Sequence, residues 1–298
     1  MLNTSRRNFA LPLIGTAAFS ASAVRSEEVP ASPPQVTLGN TGIIMSRMGF
    51  GTGVKAGRKK SIMTRKGYAE FVGMFQHCYD RGITFFDLAD WYGSHPYCRE
   101  ALRTIPRDNV SLLTKFWFRS DGNISALSVA QRKQSAKKAL ERFLEELNVE
   151  HVDMLLLHCL VKKNWVEEMQ PYMDVFSKAK AEGKIRALGV SCHDFGAMET
   201  AAALSWVDIM LARLNPYGVK CDAEPAEVLA LLKRAKANGK GIIGMKIYGE
   251  GQLVDKREQC MKYAQNCGAL DAMTIGAVTP QEVDENLRLM AEYPAVSV

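Results

Sequence analysis

Apolar and polar residues follow a regular order along the chain, in which short apolar runs alternate with longer amphipathic segments. Eight runs are nearly continuous in apolar residues and predict strands at 48–51, 83–88, 110–116, 152–157, 185–191, 207–211, 241–247 and 272–278. Continuous apolar strands are expected where helices cover a parallel sheet. Between the strands, apolar residues recur at helical spacing, as at Ala136, Leu140, Phe143 and Leu147. The pattern therefore predicts alternating strands and helices.

The number of these units predicts the architecture. Eight strand–helix units within about 250 residues are typical of a closed (β/α)8 TIM barrel, an α/β fold. Two short apolar runs on either side of the turn cluster 39–42 predict an N-terminal β-hairpin. An open doubly wound sheet is the alternative, because residues 51–56 (Gly-Thr-Gly-Val-Lys-Ala) fit a loose dinucleotide-binding pattern. No helix clearly opens on that segment, which favours the barrel.

The first 23 residues differ in kind from the rest of the chain. Arg6 and Arg7 precede Phe9 and an apolar run, and residues 21–23 (Ala-Ser-Ala) have the small side chains of a cleavage site. This order predicts a twin-arginine signal peptide at 1–23, a linker at 24–34 and the barrel at 35–298. A periplasmic or otherwise exported location is then expected, with the twin-arginine translocation machinery as a partner. A disordered or amphipathic N-terminal tail is the alternative.

Composition argues against several classes of function. The chain has 298 residues, 47% of them hydrophobic, and a formal net charge of +6. A charge this mild, spread along the chain, argues against nucleic acid as a main partner. No stretch reaches the roughly 18 consecutive apolar residues that a membrane-spanning helix needs. The seven cysteines show no zinc-like spacing, so we expect no metal.

Four polar residues fall at the carboxyl ends of predicted strands or just beyond, where functional groups of a TIM barrel lie. They are Asp87, Tyr92, Lys115 and His158. Carbonyl reduction needs an acid that protonates the oxygen, and a tyrosine with a pKa of about 10 is a reluctant donor. A lysine cation would lower that pKa, an aspartate would keep the lysine charged, and a neutral histidine could hydrogen-bond the carbonyl. The set predicts the catalytic residues of a carbonyl reductase.

Each of the four also has a structural interpretation. Asp87 could cap a helix and Tyr92 could be a loop aromatic. Lys115 could extend to the surface, and His158 could be a satisfied core histidine. Their joint occurrence on the second, third and fourth predicted strands favours catalysis. A barrel hydrolase that uses Asp87 and Asp90 as paired carboxylates would leave the tyrosine and the lysine without a role.

The same segments resemble the aldo/keto reductases. Residues 86–93 (Phe-Asp-Leu-Ala-Asp-Trp-Tyr-Gly) resemble that family's Asp-and-Tyr segment, residues 115–117 its lysine strand and residues 153–158 its histidine strand. Residues 189–191 and 285–286 are similar to its cofactor segments, and the resemblance runs from about Val36 to Leu287.

The resemblance implies an oxidoreductase that uses NADPH or NADH to reduce an aldehyde or ketone, or runs the reverse reaction, with Tyr92 as proton donor. The family's cofactor-binding positions fall on Gly51, Thr52, Ser191, Lys246, Gly276, Val278, Glu282 and Asn286. Trp117 and Trp165 are expected to line the pocket for a small-molecule carbonyl substrate, although either could be a packing aromatic.

Three departures from the family pattern bear on the cofactor. Cys192 follows the serine, where asparagine is common, and Leu211 stands where a glutamine usually lies below the nicotinamide. Val278 and Glu282 occupy places that hold the 2′-phosphate in many NADP-preferring members. Because a carboxylate repels a phosphate, NADP preference is in doubt and NADH is expected to serve as well or better.

Two further expectations follow from these features. A non-catalytic protein that binds or senses a nicotinamide nucleotide on the same barrel is the alternative function, and loss of turnover in Tyr92→Phe would discriminate. An exported enzyme meets little free nucleotide outside the cytoplasm, so the predicted signal peptide also predicts tight retention of the cofactor.

Overall fold

The computed structural model describes Met1 and residues 32–295. Residues 2–23 of the predicted signal peptide and most of the predicted linker lie outside these described residues.

Eight parallel strands close into a barrel, in which each strand pairs with its neighbours in chain order and the last pairs with the first. The barrel strands are β3 (Met48–Gly51), β4 (Phe85–Asp87), β5 (Ser111–Phe116), β6 (Val152–Leu160), β7 (Ile185–Cys192), β8 (Ile209–Arg213), β9 (Gly241–Met245) and β10 (Ala272–Gly276). The prediction of a (β/α)8 barrel is confirmed, and the alternative of an open doubly wound sheet is wrong. Strand β6 runs three residues beyond its predicted end, because the chain bulges there and resumes pairing at Leu160.

Helices surround the barrel and bury their apolar faces against it. They are α1 (Ile62–Lys66), α2 (Tyr68–Asp80), α3 (His95–Ala101), α4 (Val129–Leu147), α5 (Trp165–Ala181), α6 (Phe195–Ala203), α7 (Pro225–Ala237), α8 (Arg257–Asn266) and α9 (Pro280–Glu292). Several begin at a residue whose side chain accepts a hydrogen bond from the first turn: Ser128 for α4, Asp194 for α6 and Thr279 for α9. Such caps satisfy amide groups that have no partner within the helix.

The predicted hairpin precedes the barrel and seals its amino-terminal end. Strands β1 (Gln35–Thr37) and β2 (Ile44–Ser46) pair antiparallel. The side chains of Leu38, Ile43 and Met45 are fully buried in the apolar cluster that fills the barrel interior. The other end of the barrel, where the strands terminate, is therefore the one left open for a site.

Neither a membrane span nor a metal-binding group is found in the part of the chain that the structure describes. Its helices are too short or too polar to cross a bilayer. No cluster of three histidine, cysteine or acidic side chains there could hold a metal ion.

Candidate active site

The barrel brings Asp87, Tyr92, Lys115 and His158 together at the carboxyl ends of neighbouring strands. Asp87 ends β4, Lys115 lies in β5, and His158 lies in β6. Tyr92 ends a 3₁₀ turn, Asp90–Tyr92, directly after β4. The rings of Tyr92 and His158 lie edge to face, with centroids 5.7 Å apart.

Lys115 is the centre of the group and is 1% exposed. Its ammonium group donates to Asp87 Oδ1, to the Leu88 carbonyl at 2.9 Å and to the Tyr92 hydroxyl at 3.5 Å. An ammonium group has three N–H donors, so these partners use all of them. Because the Tyr92 oxygen accepts from Lys115, its own O–H is free to donate elsewhere.

Tyr92 is held from the opposite side by the backbone of the β3 loop. A side-chain carbon at Gly53 would lie 2.6 Å from the Tyr92 ring, which is closer than any real contact. Only glycine therefore lets the ring pack where it does. Gly93 takes a left-handed conformation, with φ of 65°, and ends the turn.

Burial shifts the pKa values of the tyrosine and the lysine in opposite directions. Burial raises the pKa of Tyr92 well above 10, and the charge of Asp87 raises it further. Burial likewise lowers the pKa of Lys115, while Asp87 acts to raise it. The loss of water around the buried phenol is the largest cause of the raised Tyr92 pKa. Tyr92 is therefore protonated at neutral pH.

His158 lies at the irregularity in β6, where a bulge can turn a side chain into a site. The next residue, Cys159, has a φ of 63°. Burial lowers the pKa of His158 well below 6.5, with a further contribution from Lys115, so the ring is neutral as expected. Its Nδ1 atom is buried without a hydrogen-bond partner among the described residues. Buried polar atoms nearly always have a hydrogen-bond partner, so an unpartnered one is consistent with a catalytic role.

The two tryptophans predicted to line the pocket lie in different places. The Trp117 ring is 5.1 Å from that of His158 and stacks on Trp91, which lies beside Tyr92 in the chain. Trp165 is buried at the start of α5, and its indole donates to the Ala197 carbonyl at 3.2 Å. Trp117 therefore adjoins the four catalytic candidates, whereas Trp165 lies in the helical layer and lines a cavity beside Arg119.

Part of the predicted cofactor set borders the same open end of the barrel. Ser191, near the end of β7, is 1% exposed, and its Oγ has no hydrogen-bond partner among the described residues. Lys246 follows the end of β9 and pairs with Glu250. Gly51 ends β3, and Thr52 uses its hydroxyl to donate to the Asp87 carbonyl at 2.9 Å. The free polar atom of Ser191 fits a carboxamide group of a nicotinamide.

The rest of the set lies at the end of β10 and in α9. Glu282 accepts a hydrogen bond from the Val278 amide at 2.7 Å, and Lys66 donates to the Val278 carbonyl at 2.6 Å. Asn286 is buried and accepts from the Tyr248 hydroxyl at 2.8 Å. Gly276 is exposed at the end of β10. The Glu282 carboxylate therefore lies against the loop between β10 and α9 and fixes that loop by a hydrogen bond.

Sequence reasoning missed several residues that support the site. Thr274 in β10 donates to Asp87 Oδ2 at 3.0 Å, so the second carboxylate oxygen is also fixed. Asp90, at the start of the tyrosine turn, is buried within 3.0 Å of Lys59 and 2.9 Å of Arg142. Thr274 is a polar residue inside the apolar run of β10, and this feature of the sequence could have indicated it. No local pattern indicates the partners of Asp90.

Comparison with known proteins agrees with this architecture. A model of the aldo/keto reductase family matches residues 47–293. The chain is 25% identical over 181 residues to the NADP(+) aldo-keto reductase yakc of Schizosaccharomyces pombe, covering 59% of this chain and 52% of that protein. It is 24% identical over 212 residues to the NADH-specific methylglyoxal reductase of Escherichia coli, covering 67% and 63%. The chain thus spans roughly half to two thirds of the length of these curated relatives.

A solved structure described as an aldo-keto reductase of Pseudomonas aeruginosa superimposes with a TM-score of 0.70 at 21% identity, over 87% of this chain and 94% of that one. At this identity the likeness shows the fold alone. The family model, by contrast, spans the barrel from its first strand into its last helix. The chain belongs to the aldo/keto reductase family of oxidoreductases.

Proposed function

We propose that the protein reduces an aldehyde or ketone to an alcohol, or runs the reverse reaction, with Tyr92 as the proton donor. The observation that carries the proposal is the buried contact in which Lys115 donates to both Asp87 and the Tyr92 hydroxyl. A bound NAD(P)H would supply the hydride to the carbonyl carbon. The residues of the chain would manage the charge that then develops on the carbonyl oxygen.

The roles of the residues follow from their contacts. The neutral ring of His158 would hydrogen-bond the carbonyl oxygen and orient it toward Tyr92. Tyr92 would donate its proton to that oxygen, and the Lys115 ammonium would stabilise the phenolate left behind. Asp87 and Thr274 would keep Lys115 charged and in place. In the reverse direction the phenolate would accept the proton of the alcohol.

Replacement of Tyr92 by phenylalanine tests the proposal. The variant keeps the ring packing and loses the proton donor, so turnover of a neutral aldehyde should fall by about two to four orders of magnitude. Nucleotide binding should be unchanged when it is followed by protein fluorescence. A protein that binds nucleotide but turns over no carbonyl compound, with or without Tyr92, would support the alternative of a nucleotide sensor.

The geometry near α9 supports a finer proposal, that NADH is bound as well as or better than NADPH. The carboxylate of Glu282 lies at the loop where the 2′-phosphate would come, and its charge would repel that phosphate. Lys66, at the end of α1, reaches this loop and donates to the Val278 carbonyl. Dissociation constants measured by fluorescence should be lower for NADH, and Glu282→Gln should strengthen NADPH binding alone. Tighter binding of NADPH by the unaltered protein would refute this proposal.

The paired arginines at the start of the sequence support a proposal about location. The chain would be exported in its folded state, with the nucleotide already bound and retained. Denaturation of protein purified from the periplasm should then release a stoichiometric amount of nucleotide, which chromatography would identify. Purified protein without nucleotide and with only weak affinity for it would count against retention, and replacement of both arginines by lysine should abolish export.

A further inference from the structure

Four cationic side chains stand around the open end of the barrel near Cys159: Lys115, Arg119, Arg213 and Lys246. Three of them are paired with carboxylates. Lys115 pairs with Asp87, Arg213 with Asp222 and Lys246 with Glu250. Among the residues that the structure describes, Arg119 has no hydrogen-bonded or ion-paired partner. Of these four cations, Arg119 is therefore the one whose charge no carboxylate compensates.

Arg119 is held close to the catalytic group by aromatic side chains. Its guanidinium lies 5.2 Å from the centre of the Trp117 ring and 4.8 Å from that of Phe118. The Trp117 ring in turn lies 5.1 Å from the ring of His158. Arg119 is thus one aromatic ring away from the residue that would orient the carbonyl, and stacking on two rings limits its motion.

A cavity of about 260 Å³ opens beside Arg119, between the segments that follow β5 and β6. Its lining includes the apolar side chains of Phe118, Ile124, Leu160 and Trp165. The other charges on its rim offset each other, since Lys162 lies 3.6 Å from Glu168. A cavity with several apolar lining residues and a single unpaired cation fits a small organic molecule that carries one negative charge.

We propose that Arg119 binds a carboxylate of the substrate, so that the compound reduced is an oxo-acid, an aldehyde or ketone that also carries a carboxylate. This inference rests on the proposed function, because the carboxylate would belong to the compound whose carbonyl group is reduced at Tyr92. A guanidinium matches a carboxylate through two parallel hydrogen bonds. One unpaired cation balances a carboxylate, whereas a phosphate carries up to two charges and would leave one uncompensated.

Kinetics with matched substrates test the inference. The two acids are 4-oxobutanoate and 4-carboxybenzaldehyde, and each is compared with its methyl ester. A charge-assisted contact predicts a kcat/KM about 10- to 100-fold higher for the acids than for the esters. Arg119→Gln should remove that preference by lowering kcat/KM for the acids alone, and Arg119→Lys should retain part of it.

A control variant separates the local contact from overall charge. Arg103 lies just beyond the end of α3 with 74% of its side chain exposed, and it pairs only with Glu100. Arg103→Gln removes the same unit of charge and should leave the preference for acids intact. Equal kcat/KM for acids and esters in the unaltered protein would overturn the inference, as would an equal loss for both in Arg119→Gln.

The failure of the proposed function would look different. It would appear as a lack of turnover of the acids and the esters alike, or as turnover that survives Tyr92→Phe. Binding of benzoate, followed by quenching of tryptophan fluorescence, then decides the role of Arg119 without catalysis. Saturable quenching that disappears in Arg119→Gln supports the inference, and the absence of saturable quenching in the unaltered protein overturns it.

Discussion

At the scale of single residues, the site depends on how Tyr92 is surrounded. Its hydroxyl accepts from Lys115, its ring faces His158, and Gly53 leaves room for the ring on the remaining side. Each contact comes from a different segment of the chain. The position of the phenol is therefore fixed by packing as well as by hydrogen bonding.

Gly53→Ala should displace the Tyr92 ring and lower kcat by about tenfold or more, because small misplacements of a catalytic group are costly. The fold should survive, since the flexible end of a side chain can move. Gly73→Ala is the matched control, because an added carbon there meets nothing within 4 Å. That variant in the exposed part of α2 should be stabilised by about 0.5–1 kcal/mol and keep full activity. Unchanged kcat in Gly53→Ala would show that the ring has more freedom than this packing allows.

The directions of the pKa shifts predict different pH profiles for the two directions of reaction. Reduction uses the protonated phenol, and the pKa of Tyr92 is raised well above 10, so its kcat should stay flat from neutral pH to at least about pH 9. Oxidation uses the phenolate, so its kcat should rise with pH over the same range. The pKa of His158 is lowered well below 6.5, so neither profile should show a histidine step near pH 6.5. A fall in the reduction rate between pH 7 and 8 would contradict this description.

At the scale of elements, a network of buried and partly buried charged side chains connects the tyrosine turn to helices α3 and α4. Asp90 pairs with Arg142 of α4, and Arg142 also donates to Glu146 at 2.8 Å. Glu146 contacts His95 of α3 at 2.8 Å, and the other ring nitrogen of His95 lies 2.7 Å from Thr114, next to Lys115. Hydrogen bonds to His95 and Arg142 outweigh burial and lower the pKa of Glu146 to about 2. The network thus contacts both elements that carry the proton donor and its lysine.

Arg142→Met should lower kcat by about threefold to tenfold with little change in KM, because Asp90 loses a partner and the turn loosens. Stability should fall as well, since a buried carboxylate loses part of its compensation. Lys137→Met is the control on the same helix, where the charge is exposed and its partner Glu141 is 3.9 Å away. That variant should behave as the unaltered protein in kinetics and in thermal unfolding. A loss of stability in Arg142→Met without any change in kcat would assign the network a structural role only.

At the scale of the whole molecule, the hairpin that fills one end of the barrel and the catalytic candidates lie at opposite ends. The hairpin closes the amino-terminal end, where Leu38 packs against Gly241 at the start of β9. Catalytic candidates occupy the other end, beyond the apolar interior. Changes at the hairpin should therefore affect unfolding without reaching the site.

Leu38→Ala should lower the free energy of unfolding by about 2–5 kcal/mol, because a fully buried side chain is lost from the barrel interior. Ile44→Ala lies on the same hairpin with 66% exposure, so it should change that free energy by less than about 0.5 kcal/mol. Both variants should retain the unaltered kcat when assayed well below their melting temperatures. A loss of kcat in Leu38→Ala at such temperatures would mean that the two ends are coupled.

The sequence by itself determined the barrel and the candidate catalytic residues. Local periodicity reports which face of each segment is buried, and eight such units leave few ways to close a sheet. Polar residues at strand ends, such as Asp87 and His158, stand out against the apolar runs that precede them.

Only the tertiary structure decided the state of the site. The direction of the Tyr92 pKa shift depends on burial by several segments, and a sequence pattern contains no measure of that burial. The support of Asp87 by Thr274 joins positions 187 residues apart. The unpaired charge of Arg119 is visible only once the partners of its neighbours are known. Pairing and solvent exclusion are properties of the packed molecule, and they decide how each candidate residue could act.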